Sequence, residues 1–408
     1  MRMKEGKSRD DFPAKVGAKV RPPAHGKRGS VTSWSCCRCV VAALFLLQNL
    51  AAQDFDAVAA RAQQLREGGR LVEATEAYRS ALELKPDWAE GWWYLGTLFY
   101  DLDRFEEAEA AFDHLVSLAP QHGPARAMRG LCRFRQQRYD ESLLDLTESR
   151  VLGLGDDAGL QSVVRYHLAV LLTRSGRFED ALEVLEEFAK QNVRTITVIE
   201  AFGLAALRMA VLPSEAPPER REAVLTAGQA AYEFARENFP ASEALFQQLV
   251  RRFPRDPAAH YAFGFALSTI RGRQGLGREE AIAQFEQAVE LDPNHLEATL
   301  QLAFEHIASG DYAASKTWAE RALELDQASF AAHFALGQSL LESGDDQLEL
   351  AIQELEKAAR LAPDVPEIRF TLARAYQKAG RERDAARERE EFKRLSERKQ
   401  EWVRKVLK

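Results

Sequence analysis

Apolar residues recur along most of this chain at the three- and four-residue spacing of helices that bury one face. In residues 89–122, Trp92, Leu95, Gly96 and Phe99 fall on one such face, and Phe105, Ala108, Phe112 and Leu115 fall on a second. Asp103-Arg104 marks the turn between them, and Pro120 cannot continue a helix, so it closes the unit. Gly96 and Ala108 are small where the two helices must approach closely. One pair cannot bury both of its faces, whereas stacked neighbours of the same kind create a continuous core.

The pattern repeats. Ala258-Ala259-His260-Tyr261-Ala262-Phe263-Gly264 returns as Ala331-Ala332-His333-Phe334-Ala335-Leu336-Gly337, with Gly91-Trp92-Trp93-Tyr94-Leu95-Gly96 as a third version. A second phrase follows each: ATEAYRSALELKP ending at Pro86, AEAAFDHLVSLAP at Pro120, AIAQFEQAVELDP at Pro293 and AIQELEKAARLAP at Pro363. Self-similarity at such a period is the mark of a stacked repeat array.

Here the chain resembles the tetratricopeptide repeat (TPR) family. The family pattern stands as Trp92, Leu95, Gly96, Phe99, Ala108, Phe112 and Pro120, with Leu115 where a small residue is usual. A later unit carries it as Leu336, Gly337, Leu340, Ala351, Leu355, Ala358 and Pro363. The resemblance implies an all-α fold, a right-handed superhelical solenoid of antiparallel helix pairs. Units are expected near 55–88, 89–122, 123–156, 162–195, 196–254, 257–295, 296–329, 330–365 and 366–399.

Departures from the repeat divide the chain. Residues 196–254 are too long for one unit and too short for two. Three helices are expected there, near 196–210, 221–237 and 241–253, interrupted by Pro213, Pro217 and Pro218. An odd helix breaks the alternation, so this segment reads as a hinge between an N-terminal block (54–195) and a C-terminal block (255–399). The unit at 257–295 has an extra inter-helix loop, Gly272 to Gly277. From Arg381 onward the chain holds eleven basic and seven acidic residues, with Phe392, Leu395, Trp402 and Val406 at helical spacing. Residues 400–408 are expected to end a capping helix, with a basic partner-binding tail as the sharper alternative.

Charge separates the first 53 residues from the rest. The chain of 408 residues has a net charge of −7, but residues 1–53 carry ten Lys or Arg against three Asp or Glu, leaving a balance of −14 for the remainder. So acidic a body argues against nucleic acid as a partner. Within the leader, an apolar run from Val40 to Leu47 ends at Ala51-Ala52, the form of a secretory signal peptide and too short for a stable membrane span. Export to the periplasm or cell envelope of a bacterium is therefore expected. A start downstream at Val31 would give this leader an ordinary length, and if the leader is itself a misannotated start, a cytoplasmic protein is the alternative. The nine Lys and 36 Arg after residue 53 point to a GC-rich genome. Cys36, Cys37 and Cys39 precede the apolar run and lack a matching second pair for metal, and only Cys132 follows the leader.

Enzyme signatures are missing: no HExxH, no GxSxG and no phosphate-binding loop. With repeats over residues 55–399 there is no room for a separate catalytic domain, and neither cofactor nor metal is expected. His260 and His333 occupy the Trp92 position of their units and are expected to pack rather than to ligate.

The resemblance implies that the first helix of each pair lines a concave groove. One place after the Trp92 position stand Trp93, Tyr166, Tyr261, Phe334 and Phe370, and further along the same helices Tyr100, Phe134, Phe265 and Phe304. These aromatics are the candidate lining for a protein or peptide ligand, with Arg135, Arg174 and Arg374 as anion-recognising additions. Only four Asn occur, none on such a helix in a well-matched unit, which argues against the carboxylate clamp some TPR proteins close on chaperones. The expected function is a non-catalytic scaffold for protein or peptide binding. The alternative is an accessory subunit that positions a glycosyltransferase or a polysaccharide-export or secretion complex. Either way, Trp93→Ala with Tyr166→Ala is expected to weaken partner capture and leave helical content intact.

Overall fold

The computed structural model describes residues 54–274 and 278–406. The basic leader with its signal-like run and the end of the loop at Gly275–Gly277 lie outside the described residues, as do Leu407 and Lys408. Among the described residues the chain is helical and contains no strand. It divides into two compact units, the first ending at Leu171 and the second beginning at Leu172. The expected hinge segment 196–254 lies wholly within the second unit.

In the first unit, α1 (54–67) precedes α2 (Leu71–Leu84), α3 (Ala89–Asp101), α4 (Phe105–Leu118), α5 (Gly123–Arg135), α6 (Tyr139–Leu152) and most of α7 (Ala158–Arg174). α3 packs on α4, and α5 on α6. The register is set by a small residue: a Cβ on Gly96 would stand 2.7 Å from the ring of Phe112, and one on Gly130 would stand 2.9 Å from Leu146. Ser142 repeats the contact in polar form, donating to the carbonyl of Gly130 at 2.7 Å. Turns between paired helices need a left-handed residue, supplied by Asp103 and Gln137.

This unit also buries an ionic cluster. Arg129 donates to both oxygens of Asp145, at 2.9 and 2.6 Å, and to Asp113 at 2.8 Å. Arg133 bridges Glu109 and Asp145, and Arg138 donates to Glu109. Asp145 is 3% exposed. Its bidentate bonds hold the Arg129 guanidinium charged against burial.

In the second unit follow α8 (Phe178–Lys190), α9 (Ile196–Ala206), α10 (Arg221–Ala235), α11 (Phe239–Arg252), α12 (Pro257–Gln274), α13 (Glu279–Leu291), α14 (Leu296–Ser309), α15 (Tyr312–Leu325), α16 (Phe330–Ser343), α17 (Leu348–Leu361), α18 (Pro366–Lys378) and α19 (Glu382–Val406). The repeat contact returns as Gly264 on Phe285 and Gly337 on Leu355. α12 runs through Gly272, so part of the expected loop is helix.

The irregular segment resolves into a regular pair preceded by a single helix. α10 and α11 pair as α5 and α6 do, with Ser242 donating to the carbonyl of Ala230 at 2.9 Å. α9 ends in the turn that closes the first helix of other units: Met209 donates back to Leu204, as Arg104 does to Phe99, and Arg208 is left-handed. No second helix follows; two short 3-10 turns, Pro213–Glu215 and Pro218–Arg220, occupy its place in the chain. Thus α9 is a first helix without its partner, and it packs directly on α10.

Candidate functional site

The structure sorts the expected groove aromatics into packed and open ones. Trp93 is 5% exposed, closed in by Phe112 at 5.8 Å and His122 at 5.7 Å. Tyr166 is 7% exposed, with the His167 ring edge-on at 5.4 Å. Both are core residues of the first unit and offer no surface to a ligand, so their expected groove role is corrected. Tyr100 and Phe134 turn toward the aromatic that opens the next helix, Phe105 at 5.4 Å and Tyr139 at 5.5 Å. Each spends its ring on its own turn. Arg135 lies over Phe105 and near Asp103, Arg374 donates to Glu342 at 2.7 Å, and Arg174 stands 4.0 Å from Glu215. Phe304 and Phe334 pack on one another, half-buried, at 6.4 Å; Phe370 is exposed on one side and covered by Phe392 on the other.

Two expected residues, Tyr261 and Phe265, border an opening: Phe265 is half-buried at its surface, whereas Tyr261, 4% exposed, is packed behind it. They form one wall of a cleft of about 280 Å³ in the second unit. α8 contributes Phe178 and Leu182, α9 contributes Phe202, Ala205 and Ala206, and α10 contributes Ala231, Phe234 and Ala235. The alanines leave the space that the rings enclose. Leu182, Ala206, Phe234, Ala235 and Phe265 remain half-exposed. Apolar area of this kind gains about 25 cal/mol per Å² when a partner covers it.

Charge is confined to the rim: Glu179, Glu183, Glu186 and Glu237 against Arg208 and Arg273. Arg208 is the organising residue. Its guanidinium stands over Phe178 at 4.7 Å and Tyr261 at 5.3 Å, and it donates to the Tyr261 hydroxyl at 3.3 Å and to Glu179 at 2.5 Å. Burial works against its charge, but the neighbouring Tyr261, Glu179 and Glu297 outweigh that and hold it above the usual arginine value. Burial pushes the Tyr261 phenol up to about 12, so its hydroxyl stays protonated. Arg273 pairs with Glu237 at 2.9 Å.

Sequence reasoning missed Phe178, Phe202, Phe234 and Arg208. A signal was available: α9 and α10 are rich in alanine, and the segment lacks one helix's worth of chain. Neither histidine singled out earlier is open to a metal. His260 is bonded to Gln284 at 2.8 Å and Pro254 at 3.2 Å, and His333 to Glu354 at 2.5 Å and Gln327 at 3.2 Å. No cluster of three metal-ligating side chains occurs among the described residues.

Family models agree with this architecture along the chain. A TPR repeat model matches residues 62–103, and tetratricopeptide repeat models match 94–149, 162–187, 278–295 and 300–366. The chain belongs to the tetratricopeptide repeat family. No curated protein matches it. Among solved structures, this TPR chain is similar to MamA 41-end from Desulfovibrio magneticus RS-1, with a TM-score of 0.38 and 20% identity over 43% of this chain and 96% of the other. It is also similar to the APC/C hetero-tetramer Cut9-Hcn1, with 0.39 and 12% over 86% and 88%. Yeast Tom70 matches with 0.32 and 13% over 87% and 95%. None of these likenesses bears on what the chain binds. The TPR fold itself is consistent with protein–protein interaction, and among the described residues no helix is long and apolar enough to cross a membrane.

Proposed function

We propose that this TPR protein is a non-catalytic scaffold that seats an apolar segment of a protein partner in the cleft between α8, α9, α10 and α12. One observation carries the proposal: half-exposed Leu182, Ala206, Phe234, Ala235 and Phe265 converge on an opening whose charges stay at its edge. An apolar floor supplies affinity and a charged rim supplies orientation. Export to a bacterial envelope belongs to the same proposal, supported by the basic flank, the Val40–Leu47 run and the Ala51-Ala52 exit.

Ala206→Trp fills the cleft without removing any core side chain. Affinity capture from the envelope fraction of the source organism should recover a partner with the unaltered chain and lose it with this variant, at unchanged helical content. Equal recovery by both would overturn the cleft as the docking site. Recovery of a glycosyltransferase or polysaccharide-export complex would assign the accessory role. A mature N-terminus near residue 53 is expected for the secreted protein, and an intact leader on the recovered chain would refute export.

A further inference from the structure

Two histidines hold equivalent places, one in each unit. His122 stands just before α5 and His295 just before α14. Each imidazole accepts, through Nδ1, the N–H of the residue three further on: Ala125 at 3.0 Å and Ala298 at 3.3 Å. Each ring also faces an aromatic on the first helix of the preceding repeat, Trp93 at 5.7 Å and Tyr261 at 5.1 Å. Ahead of α7, α9 and α16 the same bond is made by Asp157, Thr195 and Ser329, which stay acceptors across the neutral range. An imidazole does not. It accepts at Nδ1 only while that nitrogen is unprotonated, and histidine changes charge in this range.

The surroundings of the two rings differ. Glu297, in the first turn of α14, stands 3.4 Å from Nδ1 of His295. A proton arriving there exchanges the Ala298 bond for an ion pair. At the matching place beside His122 the chain has Pro124, and the first turn of α5 holds no acidic residue. Of the elements around His122, α3 carries Glu90 a turn before Trp93, and the last turn of α4 carries no charge. α5 carries Arg126, paired with Glu148, and α6 carries Arg150 in its last turn. None of these offsets burial, which holds the His122 imidazole below the usual histidine value, opposed only by its own backbone. The place is also tight: a Cβ on Gly123 would stand 2.0 Å from the carbonyl oxygen of Gly153, so the start of α5 has no room to shift around a new charge.

We infer that His122 is an acid-sensitive latch: once protonated it releases the first turn of α5 and loosens the joint between α4 and α5, whereas His295 keeps the equivalent joint of the second unit closed. The latch lies outside the cleft and does not depend on it. Three effects act together when the proton arrives. Nδ1 ceases to accept, so the N–H of buried Ala125 loses its partner. The new charge stands at the positive end of the α5 dipole, with no acidic residue in that turn to balance it. Trp93 attracts a cation through its ring but supplies no hydrogen-bond acceptor. As the imidazole leaves, Trp93 loses one of the two rings that enclose it. A histidine held below its unfolded value of ~6.5 gives stability that is complete above that pH and is lost as pH falls through the folded value.

The test is hydrogen exchange on the full-length chain at pH ~7.5 and ~5, either side of the unfolded histidine value, corrected for the intrinsic pH dependence of exchange. Protection over residues 120–132 should fall about tenfold on acidification, the scale of one lost helix cap. Protection over residues 293–305 should stay level. Two variants carry the attribution. His122→Asn keeps a capping oxygen that does not titrate, and Pro124→Glu gives His122 the carboxylate that His295 has. Each should abolish the fall. Pro124→Glu leaves the ring and its contacts in place, so it decides the matter even where His122→Asn disturbs the packing. Level protection over 120–132 in the unaltered chain, a fall that persists in either variant at native helical content, or an equal fall over 293–305 would each overturn the inference.

Discussion

Gly228 packs against the main chain of Ile199 so closely that a Cβ on it would stand 1.9 Å from the Ile199 carbonyl oxygen. The contact is reciprocal, since a Cβ on Gly203 would stand 1.9 Å from the carbonyl oxygen of Val224. The unpartnered α9 is thus held on α10 backbone to backbone, and the alanine floor of the cleft hangs on that contact. Gly228→Ala should separate the two helices and cost about 3 kcal/mol, the upper range for overpacking a tight core. Denaturant unfolding measures it; a change below about 0.5 kcal/mol, the scale of ordinary surface substitutions, would contradict the packing described.

Asp145 neutralises two arginines at once, Arg129 and Arg133, inside the first unit. Asp145→Asn keeps the shape but removes the bidentate partner of Arg129 and one partner of Arg133, leaving Asp113 and Glu109 to hold them; a loss of about 3 kcal/mol, the low end for breaking a buried pair, is expected. Added salt should restore little of it, because buried pairs are weakly screened. Recovery of thermal stability in high salt would place the pair at the surface instead.

Alkali should unfold the protein through its tyrosines. Burial pushes the phenols of Tyr78, Tyr100 and Tyr261 each up to about 12, against about 10 in the unfolded chain. A pKa raised on folding gives stability that is complete below pH ~10 and is lost as pH climbs through about 12. Phenolate absorbance from these rings should therefore appear together with loss of helical signal. Phenolates that form fully by pH ~10.5 in a chain that stays helical would show that burial does not raise these pKa values as stated.

Trp93 tests the assignment of the aromatics. Enclosed by Phe112 and His122, it should cost about 3–5 kcal/mol when cut to alanine. Phe265→Ala, at a half-exposed cleft wall, should cost less stability and more binding. Thermal melts and partner capture on both variants check the contrast, which fails if Trp93→Ala melts like the unaltered chain.

The helix pairs were legible from local pattern. Gly96 with Phe112 and Gly264 with Phe285 can be matched by eye, because each pair lies within one unit and recurs with the repeat. The three helices of 196–254 were legible too, since prolines and short-range periodicity mark their ends. Less legible was which ring is open. Trp93, Tyr261 and Phe334 hold the same place in their units, yet the first is sealed among rings of its own unit, the second is packed behind a cleft, and the third packs half-buried on Phe304. Arg208 could not have been picked out at all, because its partners Glu179, Tyr261 and Glu297 lie far away along the chain.

The sequence by itself determined that this is a stack of helix pairs, where the pairs begin and end, and that one helix lacks its partner. All of these follow from spacings of three and four residues, from the thirty-four residues between Pro86 and Pro120, and from the prolines that interrupt 196–254, which are properties of the chain alone. Only the tertiary structure decided where the missing partner leaves room, since a side chain's burial depends on what the neighbouring helices bring to the same place. Four alanines from α9 and α10, set among phenyl rings from five helices, make an opening that no single repeat contains.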